Sequence, residues 1–262
     1  MLDNVIKDIE EKLNISINKD DIKYFNEGES SSIVFRYDKY LIKTCDIKEL
    51  ESYLIFFNLY NEDCFQKIVC YSKDLLYICF YYIEGDLFKN SIIDSKEVIN
   101  QLFKITSNYK EYDYEGYGYL EEKQVDFIDF LKEESYIEDE RIDIDYSKLF
   151  ESYEVIKKYN IPKYLLHGDF GTHNFIVNNN KIYVIDPIPL VGDYLYDFYF
   201  GIFTNINIFK DIDANYILSF FEDRDYEYKK ALMTICFYIR LRRCCKYNKE
   251  DLPIYINYVN TL

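Results

Sequence analysis

Apolar residues fall at Val5, Ile6, Ile9 and Leu13, the spacing of one helix face, and predict a helix over 3–15. Three strand-like runs follow, at about 21–26, 32–37 and 40–45. Gly28 with Ser30, Ser31 and Ser32 separates the first two, and Asp38-Lys39 reads as a hairpin turn between the second and third. From Lys48 to Tyr60 the period is helical again, with Leu50, Leu54 and Phe57 on one side. Strands at about 66–72 and 75–82 end at the turn signal Glu84-Gly85-Asp86. Beyond it the pattern is mostly helical, over about 95–108, 123–134, 147–158, 193–206, 213–222 and 226–245. The exception is 164–187, where the β-rich runs Tyr164-Leu165-Leu166, Phe175-Ile176-Val177 and Ile182 to Ile185 are joined by loops. The expectation is an α+β chain: a small sheet with one helix over 1–83, and a larger helical part over 84–262. With no repeat and no low-complexity tether between them, the junction near Glu84 is where a ligand cleft is expected.

Composition narrows the function classes. The chain has 262 residues, 49% hydrophobic and 30% charged, enough for a substantial core. Asp and Glu number 47 against 31 Lys and Arg, a net charge of −16. That field repels phosphate backbones and argues against a nucleic-acid partner, while it attracts cationic small molecules. The longest apolar run, Leu75 to Ile83, is of strand length, so no membrane span is expected. The start, Met1-Leu2-Asp3-Asn4, lacks the charge pattern of a signal peptide. Seven cysteines, an odd number without paired metal-ligand spacing, read as reduced thiols of a cytoplasmic protein.

Scarce residues mark where to look. Both His (167 and 173), three of the four Pro (162, 187, 189) and three of the eight Gly (168, 171, 192) fall between 160 and 195. Within that stretch Leu166-His167-Gly168-Asp169-Phe170-Gly171-Thr172-His173-Asn174 is followed by Val184-Ile185-Asp186-Pro187. An Asp, an Asn five residues on and an Asp at a strand end twelve residues later form the parts that phosphoryl transfer needs. One carboxylate orients the attacking hydroxyl and accepts its proton, a role that suits Asp169. Hard oxygen donors hold Mg²⁺ across nucleotide phosphates, which suits Asn174 and Asp186. The strand-like residues between those two predict a hairpin that brings their oxygens to one point.

This stretch, with Gly192-Asp193 and Asp197 after it, resembles the aminoglycoside phosphotransferase and choline kinase-like family, relatives of the protein kinases. The resemblance implies a bilobal protein-kinase-like fold and a small-molecule kinase that uses Mg²⁺ and ATP or GTP. Two departures from protein kinases favour the small-molecule branch: Gly168 stands where an Arg is usual, and Pro187-Ile188 follows the metal Asp in place of Phe-Gly. No Ala-Pro-Glu segment is present either. The resemblance assigns His167 and Asp197 to bracing the catalytic loop. His173 is open to either a packing or a substrate role.

In the first lobe the resemblance makes Lys43 the strand lysine on the nucleotide phosphates. Glu51 is its expected ion-pair partner, with Glu49 the alternative, because helix register cannot be read by eye. Gly28, Ser30, Ser31 and Ser32 lie where the phosphate-covering loop belongs, although the same residues also read as an ordinary turn. Backbone near Tyr81 and Ile83 is the expected hinge to the base. On the acceptor side, 133–145 holds seven acids, of which Glu138, Asp139 and Glu140 are the candidates for a cationic acceptor, together with Asp193. Asp193 equally suits a helix N-cap. Glu222, Asp223 and Asp225 form a second acidic candidate, and Tyr112, Tyr114, Tyr117 and Tyr119 either stack on an acceptor or pack between helices. An aminoglycoside-type antibiotic is the leading acceptor. Choline, a sugar or an amino-alcohol, and a nucleotide-binding module without turnover, are the alternatives.

Overall fold

A computed structural model describes residues 2–25, 32–137, 144–247 and 249–259. Helix α1 (Leu2–Leu13) precedes a five-stranded antiparallel sheet. Its strands are β1 (Lys23–Phe25), β2 (Val34–Tyr37), β3 (Tyr40–Thr44), β4 (Ile68–Ser72) and β5 (Tyr77–Tyr81), in the order β1-β2-β3-β5-β4, with helix α2 (Ile47–Leu59) between β3 and β4. Strand alternation sorts the side chains to two faces. Phe35, Ile42, Tyr77 and Cys79 face α1, where they bury with Val5, Ile6 and Ile9. Ile78 and Phe80 face the other way, onto Leu50, Tyr53, Phe56 and Phe57 of α2. The sheet therefore carries a helix on each face, not one.

Asp46 caps α2 by accepting the N–H groups of Lys48 and Glu49 at 2.8 and 2.9 Å. That cap sets the helix phase, and with it which acid points at the sheet. The inward side is Leu50, Tyr53, Phe56 and Phe57, whereas Leu54 is only partly covered.

After β5 come β6 (Asp86–Leu87), α3 (Ser95–Thr106), β7 (Gly118–Tyr119), α4 (Phe127–Ser135), α5 (Ser147–Ile156) and β8 (Tyr164–Leu166). Next are β9 (Phe175–Asn178), β10 (Lys181–Val184), β11 (Leu190–Gly192) and α6 (Tyr194–Phe203). Then α7 (Ile206–Phe209), α8 (Ala214–Leu218), α9 (Tyr226–Tyr247) and α10 (Leu252–Val259) complete the order. The strands of this part form two small sheets, β10-β9-β6 and β7-β11-β8. β6, β7 and β11 are two or three residues long, too short to show a period, which is why the pattern along the chain misses them.

One apolar core runs without a break from α2 (Leu50, Phe56) through the 166–175 stretch (Leu166, Phe170, Phe175) into α6 and α9. The two parts are therefore packed on each other and not merely tethered. Among the described residues no helix is long and apolar enough to cross a membrane. None of the seven cysteines is in a disulfide.

Candidate active site

The loop 167–174 lies between β8 and β9. The β9–β10 hairpin pairs Phe175 with Val184 and turns at Asn179 and Asn180, both at positive φ (50° and 61°), as a two-residue hairpin turn requires. At its open end the Ile185 N–H donates to the Asn174 carbonyl at 3.0 Å, which sets Asn174 and Asp186 side by side. Asp186 itself has φ of 56°, a left-handed conformation uncommon for a non-glycine residue.

Asp169 is held from three directions. Its Oδ2 accepts from His173 Nε2 and from Asn174 Nδ2, both at 2.9 Å. Its Oδ1 accepts from Arg243 Nη1 of α9 at 3.3 Å. Burial works to raise the Asp169 carboxyl, but the His173 hydrogen bond and the His173 and Arg243 charges outweigh it and bring it down to about 2. A folded-state value below the ordinary value of about 4 means that ionised Asp169 stabilises the fold above pH ~4, and that this is lost as pH falls towards 2. The stability gap between wild type and Asp169→Asn is therefore expected to shift between pH 5 and pH 2.5, with the wild type losing more on acidification. Thermal melts followed by circular dichroism check this, and parallel curves would refute it.

Asp197, at the start of α6, is fully buried and accepts the backbone N–H groups of His167 (2.8 Å) and Gly168 (3.2 Å) and the Tyr109 hydroxyl (2.9 Å). Burial pushes its carboxyl up to about 7, and these three donors pull against that rise. His167 is also fully buried, and burial pushes its imidazole down to about 4. It is neutral at pH 7, and its Nε2–H donates to the Ile185 carbonyl at 2.9 Å. Asp197 and His167 thus clamp the loop from opposite sides, one on its backbone N–H groups and one on the strand leading to Asp186.

Gly168 has φ of +81°, and a Cβ there would lie 1.9 Å from the Ile188 carbonyl oxygen. Only glycine fits, which accounts for the absence of the protein-kinase arginine at this position. Gly168→Ala is expected to cost about 3 kcal/mol or more, from strain plus backbone displacement. Urea unfolding measures it, and a loss under 1 kcal/mol would mean that the loop relaxes freely.

Lys43, on β3, places Nζ 2.6 Å from Asp186 Oδ1 and 2.9 Å from Glu49 Oε1. Burial alone would lower the Lys43 ammonium, but the Asp186 and Glu49 carboxylates outweigh it and hold it above its ordinary value. The expectation for Glu51 is corrected here. It points away from the cleft to Lys73 at 3.0 Å, because the Asp46 cap phases α2 so that Glu49 and not Glu51 shares a face with Leu50 and Tyr53. Tyr53 is a residue that sequence reasoning missed. Its hydroxyl lies 2.6 Å from Lys43 Nζ, 2.6 Å from Asp186 Oδ1 and 3.1 Å from Glu49 Oε1. Its phenol is driven well above its ordinary value by burial first and by Asp186 and Glu49 next, so it stays a neutral donor. The only available signal was its position four residues after Glu49, one helical turn on.

Asp186 Oδ2 has no partner among the described residues, and the Asn174 Nδ2 amide donates to the Asp169 backbone carbonyl and to Asp169 Oδ2, at 2.9 Å each. One carboxylate and one amide oxygen at the mouth of a hairpin are the hard, incomplete donor set that suits Mg²⁺ shared with substrate phosphates. Among the described residues no cluster of three or more His, Cys, Asp or Glu is arranged to hold a metal by protein ligands alone.

Of the other predicted residues, Gly28, Ser30, Ser31, Glu138, Asp139 and Glu140 lie outside the described residues. Ser32 is half-buried just before β2. At the predicted hinge the Tyr81 N–H is already donated to the Lys67 carbonyl at 2.9 Å and is not free for a base. Ile83 follows, half-buried, beside Tyr82, over which the Arg36 guanidinium stacks at 3.8 Å. Asp193 is corrected as an acceptor residue. It is fully buried, accepts from the Leu195 N–H (2.9 Å) and the Tyr228 hydroxyl (2.8 Å), and caps α6. Asp223 and Asp225 are engaged with Arg224 and Tyr159, away from Asp169. Tyr117 and Tyr119 pack on Phe127 and Phe130 of α4, and Tyr112 stacks on Tyr114. A groove of about 560 Å³ lined by Tyr60, Cys64, Gln101 and Asn108 contains none of Lys43, Asp169, Asn174 or Asp186.

No protein-family model matches this sequence, and no curated protein sequence resembles it significantly. Solved structures do. A thermostable mutant of aminoglycoside phosphotransferase APH(4)-Ia, in ternary complex with AMP-PNP and hygromycin B, matches with a TM-score of 0.62 and 18% identity, over 98% of this chain and 97% of that one. Choline kinase LicA from Streptococcus pneumoniae matches with a TM-score of 0.58 and 14% identity, over 100% and 99%. APH(2'')-IIa, in complex with streptomycin and ATP, matches with a TM-score of 0.53 and 14% identity, over 99% and 96%. At these identities the likeness shows the fold: an α+β, bilobal, protein-kinase-like architecture along nearly the whole chain.

Proposed function

We propose that this chain is a Mg²⁺-dependent phosphotransferase that moves the γ-phosphate of ATP or GTP to a hydroxyl of a small molecule, an aminoglycoside-type antibiotic leading. The observation that carries the reading is the convergence of Lys43, Glu49 and Asp186 from two different lobes, with Asp186 beside the Asn174–Asp169 pair. Each half alone is an unremarkable ion pair or loop. Together they form a cationic phosphate anchor, a metal mouth and a carboxylate aimed at an acceptor. Adenine nucleotides in the matching structures, ADP and AMP-PNP, support ATP as the donor.

The roles follow from the chemistry. Lys43, charged and braced by Glu49, binds nucleotide phosphate oxygens. Asn174 and Asp186 would hold Mg²⁺, which when bound neutralises charge on the phosphates. Asp169, with its carboxyl near 2, is too weak a base to ionise an alcohol before attack. It orients the hydroxyl by accepting its hydrogen bond. It takes the proton only as the new O–P bond forms and the alcohol becomes acidic. No covalent intermediate is needed, and the buried cysteines have no part in the scheme.

The test is nucleoside-diphosphate release with Mg²⁺ and either ATP or GTP, against a panel of aminoglycosides, choline and simple sugars. Release that depends on an aminoglycoside establishes an antibiotic kinase. Release with choline or a sugar alone moves the protein to metabolism, a second reading that the match to choline kinase LicA favours. Nucleotide binding with no release under any acceptor would count for a binding module and against turnover.

A further inference from the structure

We infer that Arg243 is a positioning residue for phosphoryl transfer: it fixes Asp169 from the acceptor side and leaves Asp169 Oδ1 as the oxygen that meets the acceptor hydroxyl. The inference rests on the phosphotransferase reading above. Asp169 Oδ2 already accepts two hydrogen bonds, from His173 and Asn174. Oδ1 accepts one, from Arg243 Nη1 at 3.3 Å. A carboxylate oxygen has two lone pairs, so the open position is on Oδ1, beside the guanidinium.

The guanidinium is itself fixed. Its Nη2 donates to the Tyr119 hydroxyl at 3.0 Å and to Glu134 Oε2 at 3.2 Å, and its plane lies over Phe200 with 4.5 Å to the ring centroid. Glu134 is further held by Arg242 at 3.8 Å. Glu134 is shared between Arg242 and Arg243, so it does not balance both cations, and the remaining charge of Arg243 is directed at Asp169. Four elements meet at this one side chain: α9 carries it, α4 supplies Glu134, β7 supplies Tyr119 and α6 supplies Phe200. A rigid fork so mounted stops the Asp169 carboxylate from rotating about its Cβ–Cγ bond, which would move the accepting lone pair off line.

The experiment follows ADP release from Mg·ATP, with water alone and with each acceptor of the panel above, hygromycin B among them, for wild type, Arg243→Ala, Arg243→Lys and the pair Arg243→Met with Glu134→Gln. The pair removes both charges together and guards against simple misfolding. Both charge-removing variants are expected to lower kcat by about 30-fold or more with KM for ATP within about twofold. Arg243→Lys is expected to recover part of the rate. Guanidinium chloride at about 20 mM should raise the rate of Arg243→Ala severalfold and leave wild type unchanged, a rescue that a purely structural role does not give. Arg243→Ala with kcat within twofold of wild type overturns the inference, and so does a loss that neither lysine nor guanidinium restores. A wild type that releases no ADP with water or with any acceptor of the panel overturns the phosphotransferase reading and this inference with it; an active wild type with unaffected variants overturns this inference alone.

Discussion

Asp169→Ala is expected to abolish acceptor-dependent transfer, lowering kcat by about 10³-fold, while Mg-nucleotide affinity stays within a few-fold of wild type. The asymmetry follows from geometry. Asp169 contacts His173, Asn174 and Arg243, whereas Lys43, Glu49, Tyr53 and Asp186 are bonded to one another and not to it. Removing its carboxylate therefore leaves the phosphate anchor standing. It also frees Arg243, which retains Glu134 and Tyr119 and is not left as an unpaired buried charge. Calorimetric nucleotide binding and the release assay, run on one preparation, separate the two effects. Full activity in this variant would remove Asp169 from the mechanism, and loss of nucleotide binding would show that the two halves of the site are coupled in a way that the hydrogen bonds do not reveal.

Asp186→Ala is expected to fail differently. Here the nucleotide half is struck: Lys43 and Tyr53 each lose a 2.6 Å contact to Asp186, although both keep Glu49. Without the one carboxylate at the mouth of the hairpin, a metal would have only the Asn174 amide oxygen as a protein donor. Transfer should fall by about 10³-fold, because charge on the transferring phosphoryl group goes unneutralised. In contrast to Asp169→Ala, nucleotide affinity measured with Mg²⁺ should weaken by about tenfold or more, and affinity measured in EDTA should change little. Equal nucleotide affinity with and without the metal in wild type would show that Asp186 holds no ion. The fold should survive the substitution, since Asp186 is half exposed and Lys43 and Tyr53 both keep Glu49, against a cost of about 1 kcal/mol for alanine at this positive φ.

Much of this protein is legible along the chain. The helix and strand periods follow from burying one face at a time, so α1, α2, β2 to β5, α3, α5 and α9 are foreseen within a few residues of their ends. The spacing of Asp169, Asn174 and Asp186 is legible too, because a hairpin with a tight Asn-Asn turn makes distance along the sequence a measure of distance in space. The glycine at 168 could be noticed as a departure, but its reason, an Ile188 carbonyl lying where a Cβ would go, belongs to a segment twenty residues away.

What only the tertiary structure decides are the contacts between elements whose relative rotation no local pattern sets. Whether Glu49 or Glu51 meets Lys43 depends on the phase of α2 against the sheet, and the Asp46 cap and the Tyr53–Phe56–Phe57 face decide it. Asp193, an acid in a motif-rich stretch, is taken out of the acceptor site because α9 folds over it and supplies Tyr228. Arg243 reaches Asp169 across 74 residues of chain, and α4, α6 and β7 all contribute to holding it there. A helix or strand advertises its own face through periodicity, but a pairing across the core is settled by how whole faces pack. The sequence alone therefore determined the fold class and singled out Asp169, Asn174 and Asp186, which the loop and hairpin bring together. The partners that orient them came only from the packed molecule, where side-chain direction is set by neighbours distant in sequence.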